Sequence, residues 1–255
     1  MTATSRPRSR RRRLVRVARA GVAALIALLL IALLAGAAYE LALPSVSDAQ
    51  MKVAAIVKAH HGTIGTPPVP SKLAEAVVAV EDEHFFSNVA VNVLDGMGRA
   101  VVASLHGGGD PGGSTIAQQL AKQLYGRGSG FGAKLEEVGL GVKLSMSYSR
   151  PQVLSMYLNA GYYGNGYWGD VAAARGYFGV DPVHLDWSEA AMLAGLLQAP
   201  SAYDPLQHYG TGKQRQRHVL DQLVTNGYLS GAKADVAYRA PLPLQHASGL
   251  HAGRD

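Results

Sequence analysis

The chain's longest apolar run is "AGVAALIALLLIALLAGAAY", residues 20 to 39, with no charged side chain. About 20 such residues in a helix cross some 30 Å of hydrocarbon, so the run predicts a membrane span. A cleaved signal peptide is the alternative, because Ala35-Gly36-Ala37 is a small-residue site and "SRRRRLVR" resembles a weak twin-arginine signal. The length of the run favours the anchor. Residues 40 to 66 read as a connector that enters the turn-rich stretch "GTIGTPPVPS". From Lys72 the period becomes helical. Leu73, Val77 and Val80, spaced by four and three, predict an amphipathic or buried helix with Glu81 at its carboxyl end.

Further helices follow from caps and periods. Thr115 with Gln118 is a capping box that starts a helix after a glycine-rich loop, placing Ile116, Leu120 and Leu124 on one face and Gln118 and Lys122 one turn apart on another. Ser149 with Gln152, and Pro151 in the first turn, open a helix that ends near Asn159. Gly161, Gly164, Gly166 and Gly169 are too dense for helix. "DVAAARGYFG" and "DWSEAAMLAGLLQAP" return to it, the second capped by Asp186 with Glu189 and stopped before Pro200. Residues 211 to 226 form the last expected helix. No run alternates as a strand would and no repeat occurs, so the fold class is mostly α.

Charge changes the picture at one end only. Of 24 basic residues in 255, eight lie in the first 19 positions, where no acid occurs. The remaining 16 face 18 acidic residues, a net of −2 that leaves no footprint for nucleic acid. Arginine before the apolar run keeps that end in the cytoplasm by the positive-inside rule, predicting a single-pass protein of the cytoplasmic (inner) membrane with residues from Glu40 onward outside. The absence of cysteine excludes disulfides there.

Candidate chemistry is concentrated in three places. Glu81, Asp82, Glu83 and His84 crowd between "AVVAV" and Phe85-Phe86, either as a solvated helix end or in a cleft. An acid at Glu81 opposes the helix macrodipole, a cost usually avoided at a purely structural position. Gln118 and Lys122 beside a glycine loop suit an anionic group, although an ordinary solvated face has the same pattern. Lys134 and Glu137, three apart, are either a helix-surface ion pair or part of the same site.

Five blocks taken together identify a resemblance: "EDEHFF", "GGSTIAQQLAK", "KLEE", "YLNAGYYGNGYWG" and "SEAAMLAGLLQAPSAYDP". In this order they resemble the transglycosylase domain of the family 51 glycosyltransferases, which polymerise peptidoglycan strands from lipid II. The organisation implied is a basic cytoplasmic tail (1–19), a transmembrane helix (20–39), a juxtamembrane connector (40–66), a lysozyme-like helical catalytic domain (67–230) and a C-terminal tail (231–255). The chain then looks like the monofunctional, membrane-anchored type. The resemblance implies Glu81 as the catalytic base and Glu137 as the second catalytic glutamate, orienting the donor diphosphate or a bound cation. It implies Lys122 and Lys134 as neutralisers of the leaving diphosphate. Ser114, Thr115, Gln118, Gln119, Arg99 and Asn159 complete the substrate-binding set, Asn159 by shaping the cleft. No fixed cofactor is implied, with Mg²⁺ or Mn²⁺ at the diphosphate as the one candidate. Lipid II, the growing lipid-linked glycan, the membrane and cell-wall synthesis or division proteins are the partners implied.

Two other readings remain, a degenerate relative that binds glycan as a scaffold and a lysozyme-like enzyme that cleaves it. The sequence departs from the family's pattern at Asn88, Ala90, Ala117, Gln123, Ala133 and Ser145. Ala133 stands where, by the resemblance, an arginine usually contacts the diphosphate, so either donor affinity is lower or Arg127 supplies the contact. Arg127→Ala is expected to raise the Michaelis constant for lipid II in a steady-state polymerisation assay, and an unchanged constant counts against the substitution.

Overall fold

The computed structural model describes residues 8–65, 71–86, 114–126 and 128–245, which fall into two units, Met1–Pro44 and Ser45–Asp255. The first unit is helix α1, Arg8–Ala42, whose apolar part, Arg16–Ala42, is 27 residues long. At 1.5 Å per residue that is about 40 Å, more than a bilayer's hydrocarbon thickness. Its leucines and isoleucines are exposed, as a span facing lipid requires.

The second unit carries α2 (Ala49–Ala59), α3 (Lys72–Glu81), α4 (Ile116–Tyr125), α5 (Phe131–Ser147), α6 (Arg150–Ala160), α7 (Asp170–Phe178), α8 (Trp187–Leu196), α9 (Tyr209–Thr225) and α10 (Gly231–Arg239). Among the described residues there is no strand, only an isolated bridge between Tyr162 and Trp168, so the mostly helical class holds. The predicted capping boxes at Thr115–Gln118 and Asp186–Glu189 form as expected. At the third, Gln152 Oε1 accepts from both the N–H and the hydroxyl of Ser149.

Helix α8 organises the core. Every residue from Ser188 to Leu196 is buried, so it has no polar face to offer water and must be surrounded. Helices α3, α9 and α10 pack around it. Its two polar side chains are satisfied locally: Glu189 closes the cap, and Ser188 accepts from Gln216 Nε2 of α9 through its hydroxyl (2.8 Å) and carbonyl (2.7 Å). A second group forms where α4 packs between α5 and α6, with α2 on α6. The close approach of α4 and α5 depends on Gly141, because a Cβ there would lie 3.0–3.1 Å from Gln118 side-chain and backbone atoms.

Two helices lie where the sequence predicted none. Helix α2 occupies the expected connector, with Ala49, Val53 and Val57 buried at a spacing of four. Eleven residues are marginal as an isolated helix, so its stability comes from packing against α6 and from nearby tethers, Tyr125 OH to Asp48 (2.6 Å) and Tyr148 OH to the Val46 carbonyl (2.9 Å). Helix α10 occupies the expected C-terminal tail, capped by Ser230 and burying Ala234 and Ala237. Alanines bury little area each, which is why periodicity does not reveal it.

The glycine-rich turn after α6 behaves as read from the sequence. Gly164, Asn165 and Gly166 all take positive φ, and Tyr163 N–H reaches the Tyr167 carbonyl at 2.9 Å across the turn. At the start of α7 the Asp170 carboxylate is fully buried, and no side chain donates to either oxygen. Burial pushes its pKa up to about 6, which the N–H groups of Val171 and of Asp170 itself offset only in part. Between the unfolded value near 3.8 and about 6 the folded chain holds a proton that the unfolded chain has lost, so stability falls as pH rises through that window. The full loss is on the order of 3 kcal/mol. Asp170→Asn is therefore expected to raise the midpoint of chemical denaturation at pH 7.5, with the advantage vanishing near pH 4.

Candidate active site

The crowded tetrad at the end of α3 splits three ways. Glu83 and His84 are exposed and pair loosely at 3.7 Å. Asp82 turns inward and accepts the Ile116 N–H (3.2 Å), capping α4 from another part of the chain. Phe85 enters the core while Phe86 stays half exposed. Glu81 projects into a cleft between the two helix groups, about 1360 Å³ of empty space partly open to solvent. Only one member of the tetrad therefore lines the cleft.

Both oxygens of Glu81 are engaged. Oε2 accepts from Gln119 Nε2 at 2.8 Å, and Oε1 faces the Arg215 guanidinium at 3.4 Å. The side chains of this pair are only 11% and 9% exposed, so the charges act through little water. Burial pulls the Arg215 guanidinium down from its ordinary value and Glu81 opposes that shift. Gly195 makes the pairing possible: a Cβ there would sit 2.8 Å from the Arg215 stem. Gln216, the next residue along α9, is anchored on Ser188 and so fixes the register that aims Arg215 at Glu81.

Across the cleft, α5 contributes Lys134 and Glu137. The Lys134 ammonium donates to Ser114 Oγ (2.7 Å) and lies 3.5 Å from Glu137 Oε2. Glu137 is 9% exposed, so this pair is more enclosed than an ordinary surface i,i+3 pair. Lys122 on α4 is exposed at the same opening. The structure thus brings Glu81, Ser114, Gln118, Gln119, Lys122, Lys134 and Glu137 to one cleft. Three cations and two carboxylates there provide one acceptor for a proton and a positive field for a multiply charged anion.

Other expected site residues are placed differently. Thr115 and the Gln118 side-chain oxygen are used by the α4 capping box. Asn159 does not line the cleft. It is buried, and it holds the 62–65 segment by accepting from Gly65 N–H and donating to the Gly65 carbonyl, both at 2.7 Å. Its side chain is fully used on main chain, so its place is structural and not on the substrate. Arg99, and the positions Asn88, Ala90 and Arg127, lie outside the described residues.

Arg215, His218 and Gln198 line the cleft although the sequence reading passed over them. Arg215 and His218 sit on a helix read only by its period, and nothing local distinguishes Arg215 from Arg217, which pairs outward with Asp221 and Asp235. Burial, with Arg215 adding to it, pulls His218 below its ordinary value. Breaking a mostly buried ion pair from one side strands the other charge, so Arg215→Met is expected to cost about 2–3 kcal/mol in urea unfolding at pH 7. Arg215→Lys is expected to recover part of that loss.

The transglycosylase family model matches residues 50–224. Penicillin-binding protein 2a of Streptococcus pneumoniae is 38% identical over 184 residues, 71% of this chain and 25% of its own length. Penicillin-binding protein 1F of Bacillus subtilis is 35% identical over 195 residues, 76% of this chain and 27% of its own length. A provisionally named transglycosylase of Cupriavidus necator is 37% identical over 178 residues, 69% of this chain and 77% of its own. The chain thus spans about a quarter of the length of the two penicillin-binding proteins it matches.

Proposed function

This chain belongs to the transglycosylase family, and on that premise we propose that it is a peptidoglycan glycosyltransferase that polymerises lipid II into β-1,4-linked glycan with inversion. The observation that carries this reading is the pairing, in one cleft, of a held carboxylate with three cations, Lys122, Lys134 and Arg215. An enzyme that cleaves neutral glycosidic bonds has no diphosphate to neutralise and gains little from such a cluster.

The reaction asks three things of these residues. The acceptor sugar hydroxyl attacks the donor's anomeric carbon while the bond from that carbon to the lipid diphosphate breaks. Glu81 takes the hydroxyl proton, so the new glycosidic bond forms without a high-energy oxonium and the diphosphate departs with the bonding pair. General-base help of this kind is typically worth about 10² to 10⁴ in rate. Lys122 and Lys134 face the charge that grows on the leaving oxygens, where a preset positive field acts most strongly. Ser114 fixes the Lys134 ammonium, and Glu137 balances it so that it remains in place before substrate arrives.

A divalent cation at the diphosphate would find in this cleft the Glu137 carboxylate, beside Lys134, while no group of three His, Cys, Asp or Glu side chains that could hold a metal occurs among the described residues. In the membrane, the arginine-rich start favours the N-in orientation, with the catalytic unit on the outer side where lipid-linked donor and nascent glycan meet.

Full-length protein in detergent, incubated with labelled lipid II, is expected to yield lipid-linked polymer resolvable by size, and Glu81→Gln is expected to lower the rate at least about a hundredfold. Absence of polymer from the wild type, under conditions where an active synthase works, overturns the polymerase reading. Digestion of preformed glycan by the same sample supports the cleaving alternative in its place.

A further inference from the structure

One buried group touches the site only through another side chain. Tyr157 of α6 is 1% exposed and does not line the cleft. Its hydroxyl lies 2.7 Å from Gln119 Oε1, and Gln119 Nε2 in turn donates to Glu81 Oε2 at 2.8 Å and toward the Ser114 carbonyl at 3.4 Å. The direction of this chain is set by its ends. A carboxylate and a carbonyl are acceptors only, so the amide must present its NH₂ to them and its oxygen to the phenol. The phenol must then donate. Burial, with Glu81 adding to it, pushes Tyr157 well above its ordinary value, which keeps the proton on the hydroxyl.

The alternative arrangement identifies what the hydroxyl does. If the Gln119 amide turned over, its oxygen would face the Glu81 carboxylate, acceptor against acceptor, and the base would lose its donor. Gln119 borders the open cleft, where its donor contacts to Glu81 and Ser114 disfavour that turn and the Tyr157 hydroxyl reinforces them with a hydrogen bond at the amide oxygen. We propose that Tyr157 is a positioning residue for the reaction: its buried hydroxyl locks the Gln119 amide so that one oxygen of Glu81 stays held and the carboxylate meets the acceptor hydroxyl in a single orientation. This rests on the reading of Glu81 as the general base.

The relay crosses three elements that are far apart in the chain. Tyr157 comes from α6, Gln119 from α4 and Glu81 from the end of α3. The opposite oxygen of Glu81 is held from a fourth, α9, by Arg215. The carboxylate is thus gripped on one side by an ionic partner and on the other by a neutral, directional donor. The neutral side is the one a phenol-to-phenyl change removes without altering any charge. Lys122, Lys134, Glu137, Arg215 and His218, the charged or titratable groups that share the cleft, remain as they are.

The test is Tyr157→Phe in the full-length protein, assayed for lipid II polymerisation across pH. The expected result is a roughly tenfold fall in kcat with the Michaelis constant for lipid II changed less than about twofold, because Tyr157 does not touch substrate space. The acid limb of the pH–rate profile is expected to move up by about 0.5 to 1 pH unit, since a carboxylate that loses a hydrogen-bond donor holds its proton more tightly. Gln119→Ala, which severs the relay at its other end, must shift the acid limb the same way, and Tyr157→Phe added to it must cost nothing further. A Tyr157→Phe protein that melts lower but keeps the wild-type kcat and acid limb has lost only a structural bond and overturns the proposal, as does full additivity with Gln119→Ala. If Tyr157→Phe does not fold, a Gln119→Ala protein with an unmoved acid limb overturns it instead. Activity that survives Glu81→Gln refutes the base itself, a separate outcome from a silent Tyr157.

Discussion

A carboxylate drawn out of bulk water cannot be left bare, and the helices of the second unit meet that requirement at Glu81, the base of the proposed reaction. Glu81 sits where α3 ends, is held by Gln119 and Arg215 on its two oxygens, and opens to the cleft beside them. Removing a carboxylate from water costs several kcal/mol unless donors replace the lost hydration. The two donors do so from opposite directions, and each is itself secured by a buried side chain: Gln119 by Tyr157, and the stretch bearing Arg215 by the Gln216–Ser188 contact. Displacing any of these helices would disturb Glu81.

The packing that permits this is close, because small residues stand at the helix crossings. Gly195 admits the Arg215 stem against α8, and Gly141 lets α5 approach the first turn of α4. The second of these also serves the opposite wall of the cleft, since Lys134 precedes Gly141 on the same helix and reaches Ser114 only if that helix lies close. The helix buried on every side, α8, is the support common to α3 and α9, and so to both members of the Glu81–Arg215 pair. Asp170 is an exception to this economy, a fully buried carboxylate without a side-chain partner, whose cost falls on stability at neutral pH.

Much of this was legible from local pattern. The apolar span, the ends of α3, the three capping boxes and the glycine turn after α6 are each set by interactions within a few residues, which a sequence displays directly. The clustering of Glu81, Gln119, Lys122, Lys134 and Glu137 was legible by another route, from the order of five short blocks resembling a family, and not from any spacing along the chain. What the sequence could not show follows from the same logic. Helices α2 and α10 are short, and are stabilised chiefly by the surfaces they pack on, so their own periods are weak. Asn159 lies within a recognisable block, yet only the fold reveals that its amide is spent on Gly65. Arg215 and Arg217 are two residues apart and alike in sequence, and the register of α9 on α8 alone sends one to Glu81 and the other to the surface acids. The sequence by itself determined most of the helical segments, which one can cross a membrane and which residue types are at hand for the chemistry, because caps, periods and charge act over short range. Tertiary structure decided which of those charges face each other, because an ion pair between Glu81 and a residue 134 positions away depends on how buried helices pack.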